Sequence, residues 1–381
     1  MSVIFNPTAE ETRALAALVA EIPHIQDKLV ANHPQLTRPD RGAHQMQLAG
    51  GKVLLTLERT LPPALAGLGI FEHDGSPGPH FIGIGRMSTG LGCPHAETDP
   101  DFLGLMVAFR AKSGRRIDFI TINDPTSPTD TPEEFIALLQ ATADASAASG
   151  LLANQARLLL SLARHAGLRA APIATHVTAQ THRTVRSSSA YQQYWTGIVR
   201  ARDVLGKFTF VPTNPPAQSR GDRGPRHLTD DWRTRHAAGP LDFELCWIPF
   251  LNERETPLED LTTAWSDAQK VRVGRVAFPQ VNPGAREAKL AALLASELGA
   301  NPGNWQEAPD DSRSDLPSTR FTAARALAYR ASQQHRRALP EESYVSFFDK
   351  GEVSEALAST LIARYKEKRA AAQWVPDLGE L

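Results

Sequence analysis

Seven short runs with a two-residue period constrain this chain more than any other feature. Residues 52–58 (KVLLTLE), 80–87 (HFIGIGRM), 104–111 (GLMVAFRA) and 117–124 (IDFITIND) form one group, and 207–213 (KFTFVPT), 242–250 (DFELCWIPF) and 271–280 (VRVGRVAFPQ) a second. Alternation sends every second side chain to the same face, so each run reads as a strand with one face bound for a core. The gaps between most runs exceed hairpin turns. The expected fold class is therefore α+β, with an antiparallel β-barrel or sandwich as its core and large helical insertions.

The insertions have their own signals. Leu15, Leu18, Val19, Ile22, Ile25 and Leu29 recur at helical spacing behind Thr8-Ala9-Glu10-Glu11, which predicts one amphipathic helix over Thr8 to Val30. Between the two strand groups, Pro132 to Gly167 is alanine- and leucine-rich with acidic residues at its start, and a break near Ser149-Gly150 divides it. Pro212 to Gly239 is rich in proline, glycine and charge and reads as a long surface connection. A helical C-terminal region follows over Glu287–Leu298, Ser318–Arg337 and Glu352–Ala372. The expected division is an N-terminal helix over 1–36, a barrel domain over 37–340 and a helical segment over 341–381.

Charge and composition exclude several functions. Forty-one basic against forty-two acidic residues leave a net charge of -1, so a nucleic-acid polyanion is not the expected partner. Two cysteines, Cys93 and Cys246, are too few for a disulfide framework or a thiolate zinc site. The N-terminus has no basic stretch followed by an apolar run, and no run is long enough to cross a membrane. A cytoplasmic protein is expected. No phosphate-binding loop or nucleophile elbow occurs, Gly83-Ile-Gly85 lacks the third glycine of a dinucleotide fingerprint, and Cys93-Pro94-His95 reads as a plain loop.

The chemistry lies near the C-terminus, where Arg325 precedes Tyr329 by four residues on an expected helix and so shares its face. A phenol near pKa 10 is a poor anionic ligand at neutral pH, and a guanidinium beside one favours the phenolate. Phenolate can ligate ferric haem, as in catalase. Alone, this pair is only an ordinary helical motif.

Three further segments agree with it in order and separation. The haem catalase superfamily carries Arg-x-Phe-x-Tyr-x-Asp-small-Gln/His followed by His-Arg, and here Arg325, Tyr329, Ser332, Gln333, His335 and Arg336 match, with Leu327 and Ala331 departing. Pro39-Asp-Arg41-Gly-Ala-His44 is similar to the segment that supplies the distal histidine. Arg86-Met-Ser88-Thr89, and Asp99-Pro100 through Phe109, resemble the strands that follow it. Pro257 to Trp265 and Val273-Gly-Arg-Val resemble the loop and strand before the proximal helix. Together these segments make the chain resemble a reduced, catalase-related peroxidase member of that superfamily, over roughly Arg38 to Pro340.

The resemblance implies a barrel of the catalase type, haem b as cofactor with its iron on Tyr329, and Arg325 as the charge partner of Tyr329. It implies that Arg41, Arg86 and Arg336 meet the haem propionates, that His44 is the distal acid-base group and that Ser88 orients it. The family's distal asparagine has no ungapped counterpart: Arg115 stands there, as a distal arginine or as a solvated turn residue, two readings of equal weight. The implied activity is cleavage of the O–O bond of hydrogen peroxide or an organic hydroperoxide, with an unidentified electron donor. The alternatives are rearrangement of a lipid hydroperoxide, as in catalase-like allene oxide synthases, and haem binding or sensing without turnover. A homo-oligomer is possible, but the family's long N-terminal arm has no counterpart, so its tetramer is not carried over.

Overall fold

The computed structural model describes residues 7–33, 36, 38–72, 76, 78–93, 95–147, 151–184, 188–201, 204–213, 224–305, 319–370 and 378. In chain order the elements are α1 (Ala9–Val19), α2 (Glu21–Asn32), β1 (Gln47–Leu57), β2 (Phe81–Thr89), β3 (Leu103–Arg110) and β4 (Arg116–Ile122). Three helices follow: α3 (Pro132–Ala145), α4 (Leu151–Ala166) and α5 (Ala170–Thr184). Then come β5 (Tyr194–Thr196), β6 (Val199–Ala201), β7 (Val204–Pro212), α6 (His227–Ala238), β8 (Leu241–Pro249) and β9 (Val271–Phe278). The chain finishes with α7 (Arg286–Glu297), α8 (Arg320–His335), α9 (Val345–Lys350) and α10 (Glu355–Ala370).

The strands pair antiparallel in the order β5-β4-β3-β2-β1-β9-β8-β7, and β5 also pairs with β7, closing an eight-stranded barrel that β6 extends at β7. The expected antiparallel barrel with helical insertions is thus the observed fold. Alternation decides what fills it. Val53 and Leu55 of β1, Leu105, Val107 and Phe109 of β3, Phe119 of β4, Phe208 and Phe210 of β7, and Phe243 and Leu245 of β8 all join one buried cluster. Trp305 plugs this interior, its ring centroid 4.8 Å from that of Phe208 and 5.2 Å from that of Phe119. An eight-stranded barrel is just wide enough for side chains to fill. A ligand as large as a tetrapyrrole must therefore sit outside it.

The outer face is where polar and small residues emerge. Register places Ser88 of β2 beside Gly104 of β3 and Gly104 beside Ile122 of β4, while Arg86, Met106 and Ile120 form the adjacent row. Helices cover these rows. Val19, Ile22, Ile25 and Leu29 of the first two helices pack with Ile136, Leu139 and Ala143 of α3 and Ala328 of α8. No helix among the described residues is long and apolar enough to cross a membrane.

Two local expectations change, and some elements were not expected at all. The single helix expected over Thr8 to Val30 divides at Ala20, where α1 ends after its Thr8–Glu11 capping box and α2 begins. The segment Pro212 to Gly239 is not wholly a surface connection. Its second half is α6, whose Leu228 and Trp232 enter the barrel cluster and whose first amides, those of Leu228 and Thr229, donate to buried Glu97 at 2.7 and 2.9 Å. Residues 214–223 lie outside those described, as does the expected break at Ser149-Gly150. Strands β5 and β6, of three residues each, and helix α5 were not anticipated. Three residues are too few to show a period.

Candidate active site

One wall of the candidate site begins with a loop folded back on itself. His44 has φ +54°, a left-handed conformation uncommon outside glycine, and its amide donates to Gly90 O at 2.8 Å. Asp101 holds the loop opposite, its Oδ2 accepting from the amides of Gly90 (2.8 Å) and Leu91 (3.0 Å). Arg86 adds a third tie, Nη2 donating to His44 O at 2.7 Å and Gln45 O at 3.1 Å. Strained backbone persists where its surroundings over-determine it. These bonds do so.

The loop sets the imidazole against Gly104. A Cβ built on Gly104 would lie 2.6 Å from His44 Cε1 and 2.7 Å from Nδ1, so only glycine fits beneath the ring. Nδ1 lies 3.2 Å from Ser88 Oγ. Burial pulls His44 down to about 4, Arg86 and Arg325 pulling the same way and Asp101 opposing them, so the ring is neutral at pH 7. Gly104→Ala is expected to push the His44 ring off Ser88 with the fold retained. Histidine proton NMR beside far-UV circular dichroism measures both.

The opposite wall is α8. One turn apart on its inner face, Arg325 and Tyr329 both line the cavity, with Arg325 Cζ 5.8 Å from the centroid of the tyrosine ring. Between the two walls lies a cavity of about 580 Å³ that also receives Arg41, His44, Arg86, Ser88, Ser332, Gln333 and Arg336.

Three of these side chains are guanidiniums crowded at one end. Arg41 Nη2 donates to Ser296 O (2.6 Å) and Leu298 O (3.2 Å) at the C-terminal end of α7, and Arg336 Nη2 donates to Leu298 O at 3.3 Å. Burial and then repulsion from Arg41 push Arg86 well below the ordinary arginine range, and the same two causes push Arg336 down to about 9. Arginine keeps its proton in proteins, so these shifts express an excess of buried positive charge. Arg86 Nε is buried without a hydrogen-bond partner. Asp40 offsets part of the excess, 3.6 Å from Arg41 Nη1, and its cationic neighbours hold it well below the usual carboxylate range despite burial.

Behind the arginines, sequence reasoning missed a buried ionic strut. Lys368 of α10 reaches Asp40 Oδ2 at 3.1 Å and Glu297 Oε1 at 2.7 Å, and Arg364 reaches Glu297 Oε2 at 3.0 Å. Nothing in the local pattern of α10 singles out Lys368. Lys368→Met would leave two buried carboxylates short of a counter-charge, and removing one partner of such a pair costs about 3–5 kcal/mol. The expected value is near 3, because Arg41, Arg336 and Arg364 remain; urea unfolding midpoints measure it.

Arg115 is not brought to the site. It sits in the tight turn joining β3 to β4, beyond the last ladder pair Arg110–Arg116, whereas His44 rests on Gly104 six ladder steps away. At ~3.3 Å per residue the separation is roughly 20 Å. Of its two readings the turn is the one the geometry supports. An ungapped count cannot see that a short hairpin carries residues 111–115 past the last ladder pair of the sheet. Arg116 is no substitute, being buried in a bidentate pair with Asp118 at 2.8 and 2.6 Å. The β4 residue beside Gly104 is Ile122, so an apolar side chain stands there. His335 is also outside the cavity, paired with Asp27 at 2.7 Å.

Among the described residues no group of three or more His, Cys, Asp or Glu side chains could hold a metal ion. Burial pushes the Cys93 thiol up to about 11, which leaves it inert as a nucleophile.

No family model and no curated protein sequence matches this chain. Among solved structures it is similar to a fungal catalase (TM-score 0.57, 16% identity, covering 81% of this chain and 61% of that one). Catalase A from Saccharomyces cerevisiae is equally similar in TM-score (0.57), at 15% identity, covering 81% of this chain and 63% of that one. The chain spans about three fifths of the length of these catalases. At such identity the likeness is one of fold, and the fold is catalase-like.

Proposed function

We propose that the cavity between the barrel and α8 binds haem b and that the protein uses it to cleave the O–O bond of hydrogen peroxide or an organic hydroperoxide. The observation that carries this reading is the convergence of Arg41, His44, Arg86, Ser88, Arg325, Tyr329 and Arg336 on one cavity from three separate parts of the chain: the loop before β1, β2, and α8 with its C-cap. The residues fit such a group. Buried Arg86 and Arg336 beside part-buried Arg41, with the Arg86 Nε unpartnered, call for carboxylates, which propionates would supply as charge-assisted pairs. Tyr329 would hold the iron through its phenolic oxygen, with the Arg325 cation 5.8 Å from its ring centroid. When bound, haem supplies the redox centre at which a peroxide bond can be broken heterolytically.

The chain's own work is proton transfer and positioning. A neutral His44 can take the proton from one peroxide oxygen and return it to the departing one, as general acid-base catalysis requires. Ser88 fixes the ring through Nδ1, which leaves Nε2 for the peroxide. Ile122 offers no hydrogen bond to a second peroxide molecule, which favours oxidation of an external electron donor over efficient disproportionation. Absorption spectra of the protein supplied with haem test the cofactor, and stopped-flow mixing with hydrogen peroxide and with a bulky organic hydroperoxide tests the reaction. A missing Soret band ends the proposal. Peroxide reactivity no greater than that of free haem would reduce it to haem binding.

A further inference from the structure

The cavity continues past Arg325 along the outside of β5 and β7, where Trp195, Ile198, Leu261 and Phe321 form apolar walls. Set among them is Lys207 of β7, lining the cavity and only 4% exposed. Its Nζ rests over the face of Trp265, 4.8 Å from the ring centroid. Trp265 is itself fixed, Nε1 donating to Pro257 O at 2.8 Å. Among the described residues no carboxylate or carbonyl lies within ion-pair or hydrogen-bond distance of this ammonium. Asp260 acts on it from farther off and is engaged by Thr262 and Thr263.

A buried ammonium without an anion is expensive to keep charged, and an aromatic face repays only part of that cost. An anion arriving in the cavity would repay more. Among the described residues Asp260 is the only charged group that acts on Lys207, so no second cation stands beside it to share a phosphate dianion. One ammonium in apolar walls suits a single carboxylate with an apolar body.

We propose that Lys207 anchors the carboxylate of an apolar acid lodged in this arm of the cavity. Resting on the peroxide reading above, this names the substrate class as hydroperoxides of apolar carboxylic acids. Burial pulls Lys207 down to about 8, and a bound carboxylate would oppose that shift.

Titration calorimetry of the purified protein with decanoate and with decan-1-ol tests the anchor without turnover. Wild type is expected to bind the acid at least about tenfold more tightly than the alcohol. Lys207→Met, similar in length but neutral, should lose that preference, and Lys207→Arg should restore it. Equal affinity of wild type for acid and alcohol, or a preference that survives in Lys207→Met, overturns the proposal; the wild-type comparison stands even if the variant fails to fold. Steady-state kinetics with an acid hydroperoxide and its methyl ester then test the substrate class. The ratio of the ester's KM to the acid's should exceed one in wild type and fall toward one in Lys207→Met. Acid binding without peroxide turnover would refute the peroxide reading and leave the anchor standing.

Discussion

Tyr329→Phe is expected to abolish stable haem binding while leaving the folded protein intact. Phenylalanine keeps the ring that packs on α8 beneath Arg325 and removes only the oxygen that would ligate the iron. A ligand that binds only the native state stabilises it by RT ln(1 + [L]/Kd), about 2.7 kcal/mol at a hundredfold excess over Kd. Wild type should therefore melt several degrees higher with haem than without. The variant should show nearly the same melting temperature in both conditions. Its Soret absorbance after gel filtration should fall to the level of adventitious haem. Arg41, Arg86 and Arg336 would still attract the propionates, so weak uptake that gel filtration strips away agrees with the assignment. Retention of haem with an unchanged spectrum would mean that another residue is the ligand.

The barrel was legible because alternation is a local property: residues 104–111 and 117–124 announce which face is buried before any partner strand is known. The hydrophobic cluster then collects Leu105, Val107, Phe109 and Phe119 as the pattern requires. Local signals fail where a partner remote in sequence decides the outcome. Helix α6 hides in a polar, proline-rich segment because its N-terminus is satisfied by Glu97, more than a hundred residues earlier. Residues of the candidate site were found by motif order, which survives changes in spacing outside each motif. Arg115 shows the limit. Its placement relied on counting residues through a hairpin, and counting cannot tell where a strand ends and a turn begins. Lys207 and Lys368 were out of reach for another reason: a lysine in a strand or terminal helix reads as solvated until a structure buries it.

His44→Ala should leave haem uptake unchanged and slow peroxide cleavage by about 10²–10⁴-fold, the usual scale for a lost acid-base group. The pH profile makes the test specific. Burial holds His44 down to about 4, so the neutral form that accepts a proton persists through the mildly acidic range. Wild-type peroxide reactivity should stay level from pH 7 to 5 and fall as pH passes through about 4. An unperturbed histidine near 6.5 would have lost it a good deal earlier. Stability carries the same signature. Below 6.5 the unfolded chain takes up a proton that folded His44 refuses, so the native state is progressively destabilised as pH falls toward 4. His44→Ala removes that term, and its urea midpoint should fall less steeply than the wild-type midpoint between pH 7 and 4. A rate unchanged by the substitution would deny His44 the distal role. Identical midpoint slopes would show that the buried imidazole is not held neutral, and the proton-accepting step assigned to it would then lack its base.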